Sequence, residues 1–170
     1  KRLKIQGLNR HQIYPYVGYA MPKTAQVEDA KLAKKTGNAV RTSHYPKSQH
    51  FMNACDELGV MVFTEAPGWQ NIGDETWKLN YLQQVEEMIQ ENKHHPSVIL
   101  WGVRVNESGD DTSLYSRSNS LSRKLDSRPT GGVRCFNYSE TLEDVYTYND
   151  FIHNGTNVFL KPIDQVLKTD

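Results

Sequence analysis

Apolar positions along the chain follow two periods, and the periods take turns. Runs that are apolar almost throughout, such as Val60-Met61-Val62-Phe63-Thr64 and Val98-Ile99-Leu100-Trp101-Gly102-Val103-Arg104-Val105, have the continuous character of strands buried on both faces. Between them, apolar residues recur at three- and four-residue steps, the period of a helix with one buried face. Leu3-Lys4-Ile5-Gln6-Gly7-Leu8 alternates and predicts a first strand, broken at Asn9-Arg10-His11. Thr24 then caps a helix carrying Val27, Ala30 and Ala33 and closed by Gly37. Asn38-Ala39-Val40-Arg41-Thr42 is a second strand, ending in Ser43-His44-Tyr45-Pro46. Ser48 caps a second helix with Phe51, Cys55 and Leu58 on one face and Gly59 as its terminator.

The third strand, Val60 to Thr64, runs into Glu65-Ala66-Pro67-Gly68. Asp74 caps a long helix whose apolar face is Trp77, Tyr81, Leu82, Val85 and Ile89. It has to stop near His94, because Pro96 disfavours helical geometry before it. The fourth strand is the second apolar run, ending in Asn106-Glu107-Ser108. A helix with Leu114, Ser118, Leu121 and Leu125 follows, closed by Arg128-Pro129. Gly131-Gly132-Val133-Arg134-Cys135 and Asp144-Val145-Tyr146-Thr147-Tyr148-Asn149 are the fifth and sixth strands, and a short helix is expected near the end of Asn154–Asp170.

Strand and helix in alternation mean right-handed crossovers and a parallel sheet, either open and doubly wound or curled as a barrel. A dinucleotide fold needs a glycine-rich turn after its first strand, and Asn9-Arg10-His11-Gln12 stands there instead. Polar residues gathered at several strand ends suit a barrel. The fold class expected is therefore α/β, an incomplete (β/α)8 barrel of about six parallel strands.

Composition narrows the partners. The chain has 170 residues, short of the ~250 typical of a complete eight-stranded α/β barrel. Lys plus Arg equals Asp plus Glu at 20 each, so no basic field argues for nucleic acid. No apolar run approaches the ~20 residues of a membrane span, and no signal peptide is visible. Lys1 stands at the start of a strand-like stretch, so the chain is expected to begin within a longer protein, whose location (periplasmic, secreted or cytoplasmic) stays open. Cys55 and Cys135 are far apart, without metal-ligand spacing, and read as free thiols.

In a parallel sheet the residues after each strand share one rim: Asn9, Arg10 and His11; Arg41, Ser43 and His44; Glu65; Asn106 and Glu107; Asn149 and Asp150. Singly, each is explained by strand ends meeting solvent. Together, histidines, an arginine, glutamates and amides are the parts of a sugar site, which needs an acid for a leaving oxygen and donors for hydroxyls. The competing metal reading finds no ligand spacing among His11, His44, Glu65 and Glu107, so no metal and no cofactor are expected. A serine triad lacks its Gly-x-Ser-x-Gly elbow. His94 and His95 are assigned to a helix end, and the tryptophans to the core. Arg104 inside an apolar run predicts either a buried ion pair within the barrel or a bulge, and a bulge would re-aim Asn106 and Glu107.

Six segments, in order and with the right approximate spacing, resemble the catalytic barrel of glycoside hydrolase family 2, the family of β-galactosidases and β-glucuronidases. They are Gly7-Leu8-Asn9-Arg10-His11, Asn38-Ala39-Val40-Arg41-Thr42-Ser43-His44-Tyr45-Pro46, Cys55-Asp56-Glu57-Leu58-Gly59, Thr64-Glu65-Ala66-Pro67-Gly68, His95-Pro96-Ser97-Val98-Ile99-Leu100-Trp101 and Asn106-Glu107-Ser108. The resemblance implies retaining hydrolysis of terminal β-glycosides, β-galactosides first and glucuronides as the alternative. It makes Glu107 the general acid/base and Asn106 the amide that holds the 2-hydroxyl. Arg41 is set beside the nucleophile, His11 and His44 line the subsite, Glu65 is a rim glutamate, and Asn149 falls at a sixth-strand position.

The departures are equally informative. The family's nucleophile is a glutamate on strand seven, and no glutamate follows Glu143 here. Residues 1–170 are thus expected to be the N-terminal part of the catalytic domain, lacking strands seven and eight and inactive alone. A non-catalytic carbohydrate-binding or structural role is the competing reading for such a piece. Trp101 to Asn106 is one residue longer than the family's common spacing, which again predicts a bulge. Pro67-Gly68-Trp69 replaces a magnesium-binding Glu-Thr-His, and Tyr148 and Phe151 compete for the tyrosine beside the nucleophile. An open barrel has exposed sheet edges, so self-association is expected.

Overall fold

The computed structural model describes residues 2–135 and 138–149. Six strands lie in one sheet in sequence order: β1 (Gly7–Asn9), β2 (Ala39–Arg41), β3 (Met61–Glu65), β4 (Val98–Gly102), β5 (Thr130–Arg134) and β6 (Val145–Tyr148). Every neighbouring pair is parallel. Helices α1 (Lys23–Thr36), α2 (Gln49–Leu58), α3 (Glu75–Asn92) and α4 (Thr112–Leu125) fill the first four crossovers. Among the described residues no helix joins β5 to β6. A strand order that never reverses is that of a barrel wall, not of a doubly wound sheet. The curl is visible in a cleft of about 330 Å3 on the concave face, where Leu8 of β1 and Val145 of β6 both line the same space as Val40, Phe63 and Leu100.

The core lies between the sheet and the helices. Trp101 and Val103 pack there with Phe51, Met52 and Cys55 of α2, Tyr81, Val85 and Ile89 of α3, and Leu114 and Tyr115 of α4. The helical faces are those the apolar spacing marks out. Caps set their ends. Ser48 accepts from His50 N at 3.2 Å and Asp74 from Trp77 N at 2.9 Å, as the sequence predicts. Gly59 closes α2 in the left-handed conformation, φ 66°. Asp111 caps α4, accepting from Leu114 N at 2.9 Å, a cap the sequence reading did not assign.

Several expectations are corrected. Strand β1 is only three residues long, and Leu3 and Ile5 are exposed at 63% and 61%. Ile5 only borders the cleft, and no strand pairing among the described residues extends to either residue. Thr24 is not a cap but lies within α1, whose preceding residue is Pro22; proline's fixed φ suits a helix start without a side-chain bond. The fourth strand ends at Gly102, not Val105. His95 does not cap a helix: its ring lies between Asp56 Oδ2 at 2.6 Å and Gln49 Oε1 at 2.7 Å, tying the entry of β4 to α2. Burial opposes charge on Asp56, but bonds from Ser97 and His95 outweigh it and hold the carboxyl below its usual range. Cys55 and Cys135 are free thiols. The tail expected to be helical, together with Asp150 and Phe151, lies outside the described residues.

Candidate active site

After Gly102 the chain leaves strand geometry. Val103 N still donates to Gly131 O at 3.0 Å, and the next bond to this side runs from Glu107 N to Val133 O at 2.8 Å. The β4 side therefore spends four residues where β5 spends two. The surplus is a bulge, and Arg104 lies within it. Its side chain turns away from the barrel interior into the layer beside α4, with its guanidinium 4.3 Å over the Tyr115 ring. There it pairs with Asp110 at 2.5 Å and Glu140 at 3.3 Å. The pairing inside the barrel is thus corrected to one outside it, while the bulge stands. Arg134, bonded to Glu143 and stacked 4.2 Å from Tyr146, completes the charge cluster. Gly132 lies so close to this bulge that a Cβ there would clash with Arg104 Cβ.

The bulge delivers two adjacent side chains to one rim. Asn106 is 2% exposed, and Arg41 donates from Nη2 to its Oδ1 at 2.6 Å. Its Nδ2 is buried with no hydrogen-bond partner among the described residues. Glu107 takes a positive φ of 58°, rare outside glycine. Its Oε2 accepts from Trp69 Nε1 at 2.9 Å and Gln70 Nε2 at 3.1 Å, and its Oε1 from Asn149 Nδ2 at 2.5 Å. Gln70 N also bonds Asn106 O at 2.7 Å, so the β3–α3 loop clamps both backbone and carboxylate. Burial raises the Glu107 pKa, but the bonds from Trp69 and Gln70, helped by the nearby His44 and Arg41, outweigh it and hold the carboxyl below the usual range.

Arg41 ends β2 and is the hub of the rim. Nε donates to Glu65 Oε1 at 2.6 Å, Nη1 to Asn9 Oδ1 at 3.3 Å, and Nη2 lies 3.3 Å from His44 Nδ1. Glu65, at the end of β3, is 1% exposed, and its other oxygen lies 3.4 Å from His44. Room for it exists because its neighbour in β4 is Gly102, where a Cβ would fall 2.6 Å from Glu65 Cγ. His11 meets His44 edge-on at 5.1 Å. Burial, and then the positive neighbours His44, Lys47 and Arg41, keep the His11 pKa low. Lys47 is buried, donates to Ser43 O at 2.8 Å and lies 3.3 Å from the Tyr45 ring centroid. Burial pushes its pKa down to about 6.

His11, Arg41, His44, Glu65, Asn106, Glu107 and Asn149 thus converge. Arg10 does not: it turns back to Asp29 at 2.9 Å and Gln26 at 2.8 Å, over the Phe51 ring. Sequence reasoning missed Trp69 and Gln70. Trp69 was assigned to the core, yet it is 60% exposed and contacts the carboxylate. The signal was available: a tryptophan between Gly68 and Gly73 belongs to no helical apolar stripe. Among the described residues no three His, Cys, Asp or Glu side chains converge to hold a metal ion, and no helix is long and apolar enough to cross a membrane.

A parallel half-barrel whose strand ends hold a carboxylate, an orphan amide donor and an arginine-centred polar net has the site placement of an α/β-barrel protein. The model of the glycosyl hydrolases family 2 TIM barrel domain matches residues 1–157, and the chain belongs to that family. It is 54% identical over 169 residues to a β-galactosidase of Thermoanaerobacterium thermosulfurigenes, covering 98% of this chain and 24% of that protein. Among solved structures, an FMN-binding β-glucuronidase from Facaelibacterium prausnitzii superposes with TM-score 0.82 at 27% identity, covering 89% of this chain and 26% of that one. A β-galacturonidase from Eisenbergiella tayi, bound to galacturonate, gives TM-score 0.78 at 31% identity, over 88% of this chain and 29% of its own. The chain spans about a quarter or less of the curated relatives it matches.

Proposed function

We propose that this chain is the N-terminal part of the catalytic barrel of a retaining β-glycosidase acting first on β-galactosides. The observation that carries it is the buried Asn106 Nδ2, a donor without a partner among the described residues, beside a carboxylate aimed at the same rim. A buried unpaired donor is costly, and a sugar 2-hydroxyl would satisfy it. Glu107 would protonate the glycosidic oxygen, a second carboxylate ~5–5.5 Å away would form the glycosyl-enzyme, and Glu107 would then deprotonate water. The nucleophile stays the strand-seven glutamate that the resemblance implies, outside this chain, and Glu65, paired with Arg41 at the end of β3, stays a rim glutamate. The chain alone is then expected to be inactive.

The lowered pKa of Glu107 opposes acid action by this chain alone. A general acid must hold its proton at working pH, and its neutral donors oppose that here. A nearby second carboxylate would raise the pKa by like-charge repulsion. Its esterification in the glycosyl-enzyme would remove the repulsion and turn Glu107 into a base. Galactosides are put first because the β-galactosidase relatives are 54% and 56% identical to this chain. Arg41 donates to Asn9, Glu65 and Asn106, and burial pushes the Lys47 pKa down to about 6.

In the complete protein, Glu107→Gln should cost about 100-fold or more in kcat on β-galactosides with poor leaving groups. Substrates whose leaving groups depart unaided should lose less in the first step. Equal losses in both classes, read as single-turnover rates, would remove Glu107 from the acid role.

A further inference from the structure

We propose that Trp69 is the leaving-group platform of this site, its indole face taking the pyranose ring that departs when the glycosidic bond breaks. This rests on the hydrolase reading above and adds the second ring of the substrate to it. The preferred substrates are then disaccharides or longer β-glycosides rather than glycosides of small alcohols.

Position comes first. Trp69 Nε1 lies 2.9 Å from Glu107 Oε2, so the indole begins where the acid delivers its proton. The oxygen that receives this proton joins the retained ring to the departing one. The retained ring is assigned to Asn106, Arg41 and His44. His44 lies against Trp69 in an offset stack, centroids 6.2 Å apart and planes 14° from parallel. The indole therefore borders that pocket, and among the described residues it is 60% exposed.

Rigidity comes second. An exposed tryptophan on a loose loop would lose freedom on gripping a ligand, and that loss weakens binding. Trp69 is held beforehand. Its backbone bridges to Asn106, the adjacent Gln70 N bonds Asn106 O at 2.7 Å, and its N–H is spent on Glu107. What is left to a ligand is an aromatic face whose N–H edge is already anchored. A pyranose presents an apolar face of C–H groups, which suits the negative face of an indole.

The test compares Trp69→Phe with Trp69→Ala in the complete protein. Both lose the N–H to Glu107, but only Phe keeps a ring. The substrates are a β-linked galactosyl disaccharide and β-galactosyl fluoride, whose leaving group has no ring. The ratio of kcat/KM for disaccharide over fluoride should fall about 10-fold in Trp69→Ala and stay within about threefold of wild type in Trp69→Phe. Equal losses on both substrates in Trp69→Ala, or a Phe ratio as low as the Ala ratio, overturn the platform alone. Failure of the unmodified protein to turn over either substrate overturns the hydrolase reading and the platform with it.

Discussion

Glu107 receives three hydrogen bonds from uncharged donors, two on one oxygen and one on the other. Such donors favour the ionised form, so each lowers the pH at which the carboxyl holds a proton. Removing one reverses the sign. In Gln70→Leu the protonated form should survive to higher pH, and the alkaline limb of the kcat/KM profile should move upward. A limb that stays put or moves down would mean that Gln70 does not tune the acid. Asn106 divides its amide differently: the oxygen is committed to Arg41, and the nitrogen is kept for a ligand. Which residue types gather at the rim was legible in the sequence. Which atom of each is spoken for was not, because that depends on distances between strand ends 65 positions apart.

At the scale of elements, continuous apolar runs and helical stripes located the strands and helices, and Ser48, Gly59 and Asp74 marked ends correctly. Errors fell where the signal was local but the outcome was not. Leu3 and Ile5 alternate as a strand should, yet strand length is decided by pairing, and pairing begins only near Gly7. His95 sits at a helix end in sequence, but its partners come from α2. Arg104 was readable as trouble; that its acids lie on the helix side was not. The bulge that holds it depends on a missing side chain opposite. Gly132→Ala should place a methyl group against Arg104 Cβ and cost about 2 kcal/mol, the middle of the usual range for overpacking. Denaturant melts would give the loss in stability. A change below a few tenths would show that the two backbones separate freely.

For the whole molecule, a half-barrel leaves its ends in question. Strand β1 has one strand neighbour among the described residues and is exposed throughout, with Leu8 half exposed at the cleft mouth. Exposed strand edges pair with one another unless charge prevents it. The isolated 170-residue chain should therefore self-associate with rising concentration in sedimentation velocity, and Leu8→Lys should reduce this. A concentration-independent monomer in both forms would count against edge pairing.

The rim also bears on how the sheet opens. Its side chains come from β1 and β2, from the chain beyond β4, and from the residue after β6; Asn9 and Asn149 are separated by nearly the whole described chain. A sugar touching Asn9, Arg41, Asn106 and Asn149 at once would bind only when all these strand ends are in place. Its binding free energy would then oppose separation at every seam of the sheet, not one loop at a time. Amides in β1 and β6, the end strands, would gain the most protection from hydrogen exchange, although their own side chains contribute least to the grip.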